Sequence, residues 1–105
     1  MPSFVTQKNE ILTRLQENAA QLETFGVSKM GLFGSFVREQ QQANSDIDLF
    51  VEFQASLKTF DNFMGLSFFL EELLGHRVEI VTPESLSPYI GPHILKEIEY
   101  VTFAA

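Results

Sequence analysis

The sequence predicts an α/β (α+β) domain: one small mixed β-sheet backed by helices. Three observations lead there. Helix-like and strand-like periodicities alternate in the order α-β-(short α)-β-α-β-α, as in a sheet covered by helices. Ile47 to Phe53 alternates strictly, with Ile47, Leu49, Val51 and Phe53 on one face and Asp46, Asp48, Phe50 and Glu52 on the other. The connection between the first two strands is too short for a parallel crossover, so the sheet is expected to be mixed or partly antiparallel.

Each element has its own warrant. From Thr6 to Phe25 the residues Ile11, Leu12, Leu15, Ala19 and Leu22 recur at helical spacing, polar residues fill the other faces, and Gly26 is a natural stop. Val27 to Phe33 reads as a short buried strand closed by Gly34 and Ser35. Phe36 to Gln42 is expected to be a short helix with Ser35 as its N-cap, followed by a polar loop from Gln40 to Ser45. A second long helix runs from Asp61 to Leu74, with Thr59 or Asp61 at its cap and Gly75 at its end. Arg77 to Thr82 forms the third strand, with Glu79 facing away from Val78 and Ile80. Pro83, Pro88, Gly91 and Pro92 break the chain before a terminal helical turn or two carrying Ile94, Leu95 and Ile98.

Composition narrows the function. The 105 residues read as one domain, 1–105, with neither repeat nor linker. A chain of this size buries roughly two-thirds of its unfolded surface, enough for an unaided core. Without cysteine there are no disulfides, thiolate nucleophiles or Cys-ligated metals. The first residues show no basic start followed by an apolar run, and no apolar stretch approaches a membrane span, so a cytoplasmic protein is expected. Seven Lys and Arg against 14 Asp and Glu leave a formal charge of −7, which argues against direct nucleic-acid binding. The aromatics are 11 Phe and 2 Tyr with no Trp; most Phe are expected in the core and a few on a surface for a partner.

The chemistry concentrates in two short stretches. In Ser45-Asp46-Ile47-Asp48-Leu49 the two carboxylates project from the same strand face with Cα atoms about 7 Å apart, within reach of one divalent cation. Mg²⁺ suits that role because it takes oxygen ligands and shares them with substrate phosphates. Upstream, Gly34 lets backbone approach a ligand, and Ser35 leaves N–H groups free for phosphate. Arg38 adds a guanidinium fork matched to phosphate oxygens. Glu79 is a candidate third carboxylate, to ligate metal or take a proton from an attacking hydroxyl. Taken singly, each is an ordinary feature: acids on a solvated strand face, a turn, a helix surface. His76 and His93 carry no assigned role. Only the joint occurrence points to metal-assisted transfer of a nucleotidyl or phosphoryl group.

These residues, Gly34-Ser35, then Arg38, then Ser45-Asp46-Ile47-Asp48-Leu49-Phe50-Val51, resemble the motif of the DNA polymerase β-like nucleotidyltransferases, and more narrowly the minimal nucleotidyltransferase group. Gly31-Leu32-Phe33, Leu73-Leu74-Gly75, the stretch Val78 to Glu84 and the stretch Ile94 to Ile98 also have counterparts there, so the likeness spans nearly the whole chain. It implies the polymerase β-like nucleotidyltransferase core. It further implies ATP as nucleotidyl donor, with Gly34 and Ser35 on its β- and γ-phosphates. Asp46 and Asp48 would then bind Mg²⁺, with Glu79 as the third acid, and Arg38 and Ser45 would join the nucleotide site. Members of the group commonly act as antitoxins that transfer AMP to a tyrosine of a HEPN-domain ribonuclease toxin; others neutralise by contact. Two departures are evident. The group often has glycine after Arg38, where this chain has Glu39, and its third acid is more often Asp than Glu.

Two other readings stay open. One is a non-catalytic antitoxin that masks a basic toxin surface with acidic charge and spare Phe. The other is a small-molecule nucleotidyltransferase resembling aminoglycoside-modifying enzymes, which usually carry a further domain for the acceptor.

Overall fold

A computed structural model describes residues 7–42, 44–89 and 91–101. The elements are α1 (Lys8–Glu17), α2 (Ala19–Thr24), β1 (Val27–Phe33), β2 (Ile47–Phe53), α3 (Phe60–Leu74), β3 (Val78–Val81), α4 (Gly91–Glu97) and β4 (Glu99–Tyr100), with 3₁₀ turns at Ala55–Leu57 and Pro83–Ser85. The strands form one sheet in the order β3-β2-β1-β4. β1 is antiparallel to β2 and β4, whereas β2 and β3 run parallel with α3 as the crossover. The expected mixed sheet backed by helices is therefore the architecture found.

The alternation in β2 decides what each face does. Ile47, Leu49 and Val51 are fully buried with Met30 and Leu32 against Ile11 and Leu15 of α1, Leu22 of α2, and Leu66, Leu70 and Leu74 of α3. That stripe on α3 recurs every fourth residue, so one helix edge stays in the core from Leu66 to Leu74. Thr59 caps α3, its hydroxyl accepting the Asn62 N–H at 3.1 Å, and Gly75 ends it with φ +71°. Two bonds seat the far end of α3: the Arg14 guanidinium donates to the Leu73 carbonyl at 2.9 Å, and Glu71 accepts the Val78 N–H at 3.1 Å.

Three expectations need correction. The first helix is not continuous: it breaks at Asn18, whose side chain donates back to the Arg14 carbonyl at 2.8 Å and competes with the helical ladder. Its expected start at Thr6 lies outside the described residues. No helix forms over Phe36–Gln42. The Val37 and Arg38 N–H groups both bond to the Gly34 carbonyl, Gln40 bonds back to Ser35, and Glu39 takes a left-handed φ of +57°, which a helix cannot propagate through. A fourth strand, too short to show a period, follows α4, and Ile98 lies beyond the helix end. The face opposite the core is also partly covered. Phe50 is 2% exposed beside Gly31, its register partner, and any side chain at 31 would collide with Ile98.

The Phe inventory divides as expected. Phe33, Phe36 and Phe50 are buried, while Phe60 (77% exposed) and Phe68 (64%) lie on the surface. Phe4 and Phe103 lie outside the described residues. Among those described, no helix is long and apolar enough to cross a membrane.

Candidate active site

Three chain segments meet at the end of the sheet where β1 stops and β2 and β3 begin. Asp48 pairs in register with Glu79 across the parallel strands, so both carboxylates leave the same face. On its other side Asp48 pairs with Phe33, the last residue of β1, which delivers the chain directly into Gly34. Gly34 takes φ +84°, and a side chain there would run into the Asp48 carboxylate. Glycine is required twice over, for its conformation and for the space that Asp48 fills. Phe36, 1% exposed, anchors the turn from below and meets the His76 ring edge-on at 5.5 Å.

The carboxylates perturb one another. The Asp48 carboxyl is raised to about 6, chiefly by burial and then by its Glu79 neighbour and the Asp46 charge, with the Arg38 guanidinium acting in the opposite direction. Adjacent carboxylates repel one another, so this pair favours a nearby positive charge. Asp46 stands exposed just before β2. Among the described residues no three acidic or His side chains are already drawn into a metal cage. Convergence and cage are different observations. The neighbouring Asp48 and Glu79 carboxylates, with Asp46 just upstream, are hard oxygen donors of the kind a divalent cation takes.

The remaining expected site residues have defined places. Ser35 lies in the turn, half-buried, and its N–H and hydroxyl make no hydrogen bond to another described residue. Ser45 closes its own loop: its hydroxyl accepts the Gln42 N–H at 2.8 Å and its N–H donates to the Gln42 carbonyl at 3.0 Å. His76 Nδ1 lies 3.3 Å from the Ser45 carbonyl, a structural use consistent with assigning it no chemistry. Arg38 is paired with Glu97 of α4 at 3.1 Å. Glu97 also accepts the Gly34 N–H at 2.7 Å. This acid carries no readable signal in the sequence, because its partner Arg38 is 59 positions away and its own helix is short. The sequence also gives no hint of the groove beside Glu79. It encloses about 290 Å³ and is walled by Ile80, Val81, Leu86 and Ile94 with the hydroxyls of Ser85 and Ser87.

The nucleotidyltransferase domain family matches residues 8–101, and the chain belongs to that family. The protein adenylyltransferase MntA of Thermococcus cleftensis is 40% identical over 79 residues, covering 75% of this chain and 79% of that relative. A solved structure described as a minimal nucleotidyltransferase superposes with a TM-score of 0.77 at 29% identity, over 90% of this chain and 95% of the other. A toxin–antitoxin crystal structure with AMP-PNP shares the fold at a TM-score of 0.65 and 22% identity, over 85% of this chain and 73% of that one.

Proposed function

We propose that the chain is a Mg²⁺-dependent protein adenylyltransferase that acts as an antitoxin, transferring AMP from ATP to a tyrosine of a HEPN-type toxin partner. The observation that carries this reading is the in-register pair Asp48 and Glu79, with the Asp48 carboxyl raised, beside the Gly34–Ser35 turn. The names of the relatives support it: a protein adenylyltransferase at 40% identity, and a toxin–antitoxin assembly holding an ATP analogue.

The chemistry assigned to each residue follows from its place. Asp46, Asp48 and Glu79 would hold Mg²⁺, which supplies charge neutralisation for the triphosphate. Ser35 offers its free N–H and hydroxyl to phosphate oxygens. The acceptor hydroxyl attacks the α-phosphorus, a new P–O bond forms, the bond to the β-phosphate breaks, and pyrophosphate leaves. The acceptor proton passes to Glu79, which also lines the neighbouring groove.

The test is incubation of the purified protein with labelled ATP, Mg²⁺ and its cognate partner. Label should appear on the partner and vanish with Asp46→Asn and with Asp48→Asn. A second reading, neutralisation by contact, is favoured by the exposed Phe60 and Phe68 and the −7 charge. Neutralisation that survives both substitutions without label would establish it and remove the first.

A further inference from the structure

Gly34 is buried, so its backbone N–H cannot turn to water and needs an acceptor within the protein. That acceptor is Glu97, 63 positions along the chain, whose Oε2 lies 2.7 Å from the Gly34 nitrogen. Both Glu97 oxygens also lie 3.1 Å from Arg38 Nη1. The Glu97 side chain is only 24% exposed, whereas Arg38 is 50% exposed. One carboxylate therefore ties together the first residue of the turn and the cation four residues later, and anchors both to α4. The Gly34 N–H and one edge of the Arg38 guanidinium are held by Glu97, while the Ser35 N–H and hydroxyl and the Phe36 N–H make no hydrogen bond among the described residues.

We infer that Glu97 is a positioning residue of the nucleotide site: it braces the Gly34 end of the turn from α4 and fixes Arg38, so that Ser35 is presented to the phosphate chain. The inference rests on the proposed nucleotide site and adds a residue to it. Glu97 touches no substrate. It acts through Gly34 and Arg38, whose conformations its two bonds define. The opposite arrangement, a carboxylate plugging the place of a phosphate, predicts the opposite sign for its removal.

The test is titration of AMP-PNP with Mg²⁺ into wild type, Glu97→Ala, Glu97→Gln and the double variant Glu97→Ala with Arg38→Ala. Amide NMR of Gly34 and Ser35 is recorded on each chain. Glu97→Ala should weaken binding about ten-fold, the scale of one lost charge-assisted hydrogen bond. Glu97→Gln keeps an oxygen for the Gly34 N–H and should recover most of the affinity. The double variant should lose no more than Glu97→Ala alone, because both belong to one network. The Gly34 amide should shift strongly upfield in Glu97→Ala and the Ser35 amide should move with it. A Glu97→Ala chain that is folded by NMR and binds as tightly as wild type, or more tightly, overturns the inference. A wild-type chain that binds no AMP-PNP removes the nucleotide site itself, and the inference with it; the wild-type arm distinguishes that outcome from the first.

Discussion

The two faces of β2 obey opposite rules. Toward the helices, Ile47, Leu49 and Val51 are fully buried and carry no polar group, so every contact on that face favours the folded state. Toward the other side, Asp48 is held half-buried against Glu79 with a carboxyl raised to about 6, beside a glycine whose missing side chain makes room for it. Alternation by one residue thus separates the part of the strand that stabilises the fold from the part that strains it. The difference teaches that the acidic end of that face works against folding, although Phe50 further along it is buried.

Substitutions on the two faces should therefore move different observables. The largest effect is expected from Asp48→Asn, which should lower AMP transfer about 10³-fold while leaving the chain folded, read by initial rates with labelled ATP. Next, Leu70→Ala on the core side should destabilise the fold by about 3 kcal/mol in denaturant unfolding, with transfer per folded molecule unchanged. Gly34→Ala sits on the border. It should cost about 2 kcal/mol because its φ is left-handed, and it should also abolish transfer by displacing Asp48.

Two smaller effects sharpen the contrast. A carboxyl raised in the folded state stabilises the fold fully below its unfolded value near 4, and that contribution is lost as pH rises toward about 6. Asp48→Asn should therefore be more stable than wild type at pH 7 by about 1 kcal/mol, after discounting for solvent screening at a half-exposed site, with the gain gone at pH 4. Thermal melts across that range read the crossover. Glu39→Gly should raise the midpoint by about 4 °C, by relieving a left-handed residue that is not glycine.

Much of this contrast was legible in the sequence, and the remainder was hidden for physical reasons. The period of two in Ile47 to Phe53 is a local property, so it showed which residues share a face. Gly75 and Thr59 marked the ends of α3 for the same reason: a cap is chemistry between near neighbours. Local pattern also suggested a helix after Ser35. The chain turns instead, because Glu39 adopts a left-handed conformation, and no propensity scale registers that. The strand pattern offered Glu79 as a candidate third carboxylate, but its exact pairing with Asp48 needed the parallel register of β3, which depends on α3 as a crossover. Glu97 was invisible, since its two partners lie about sixty residues upstream. Ser45 had been expected among nucleotide contacts, and in the fold its hydroxyl closes the loop to Gln42.

The central claim is that Asp48 and Glu79, carried on neighbouring strands, form one electrostatic site. The carbon-13 NMR titration of the Asp48 carboxyl in wild type and in Glu79→Gln tests it most directly. The account predicts a midpoint near 6 in wild type and a lower one in the variant, still above the ordinary range because burial persists. A wild-type midpoint near 4 that Glu79→Gln leaves unmoved would contradict it.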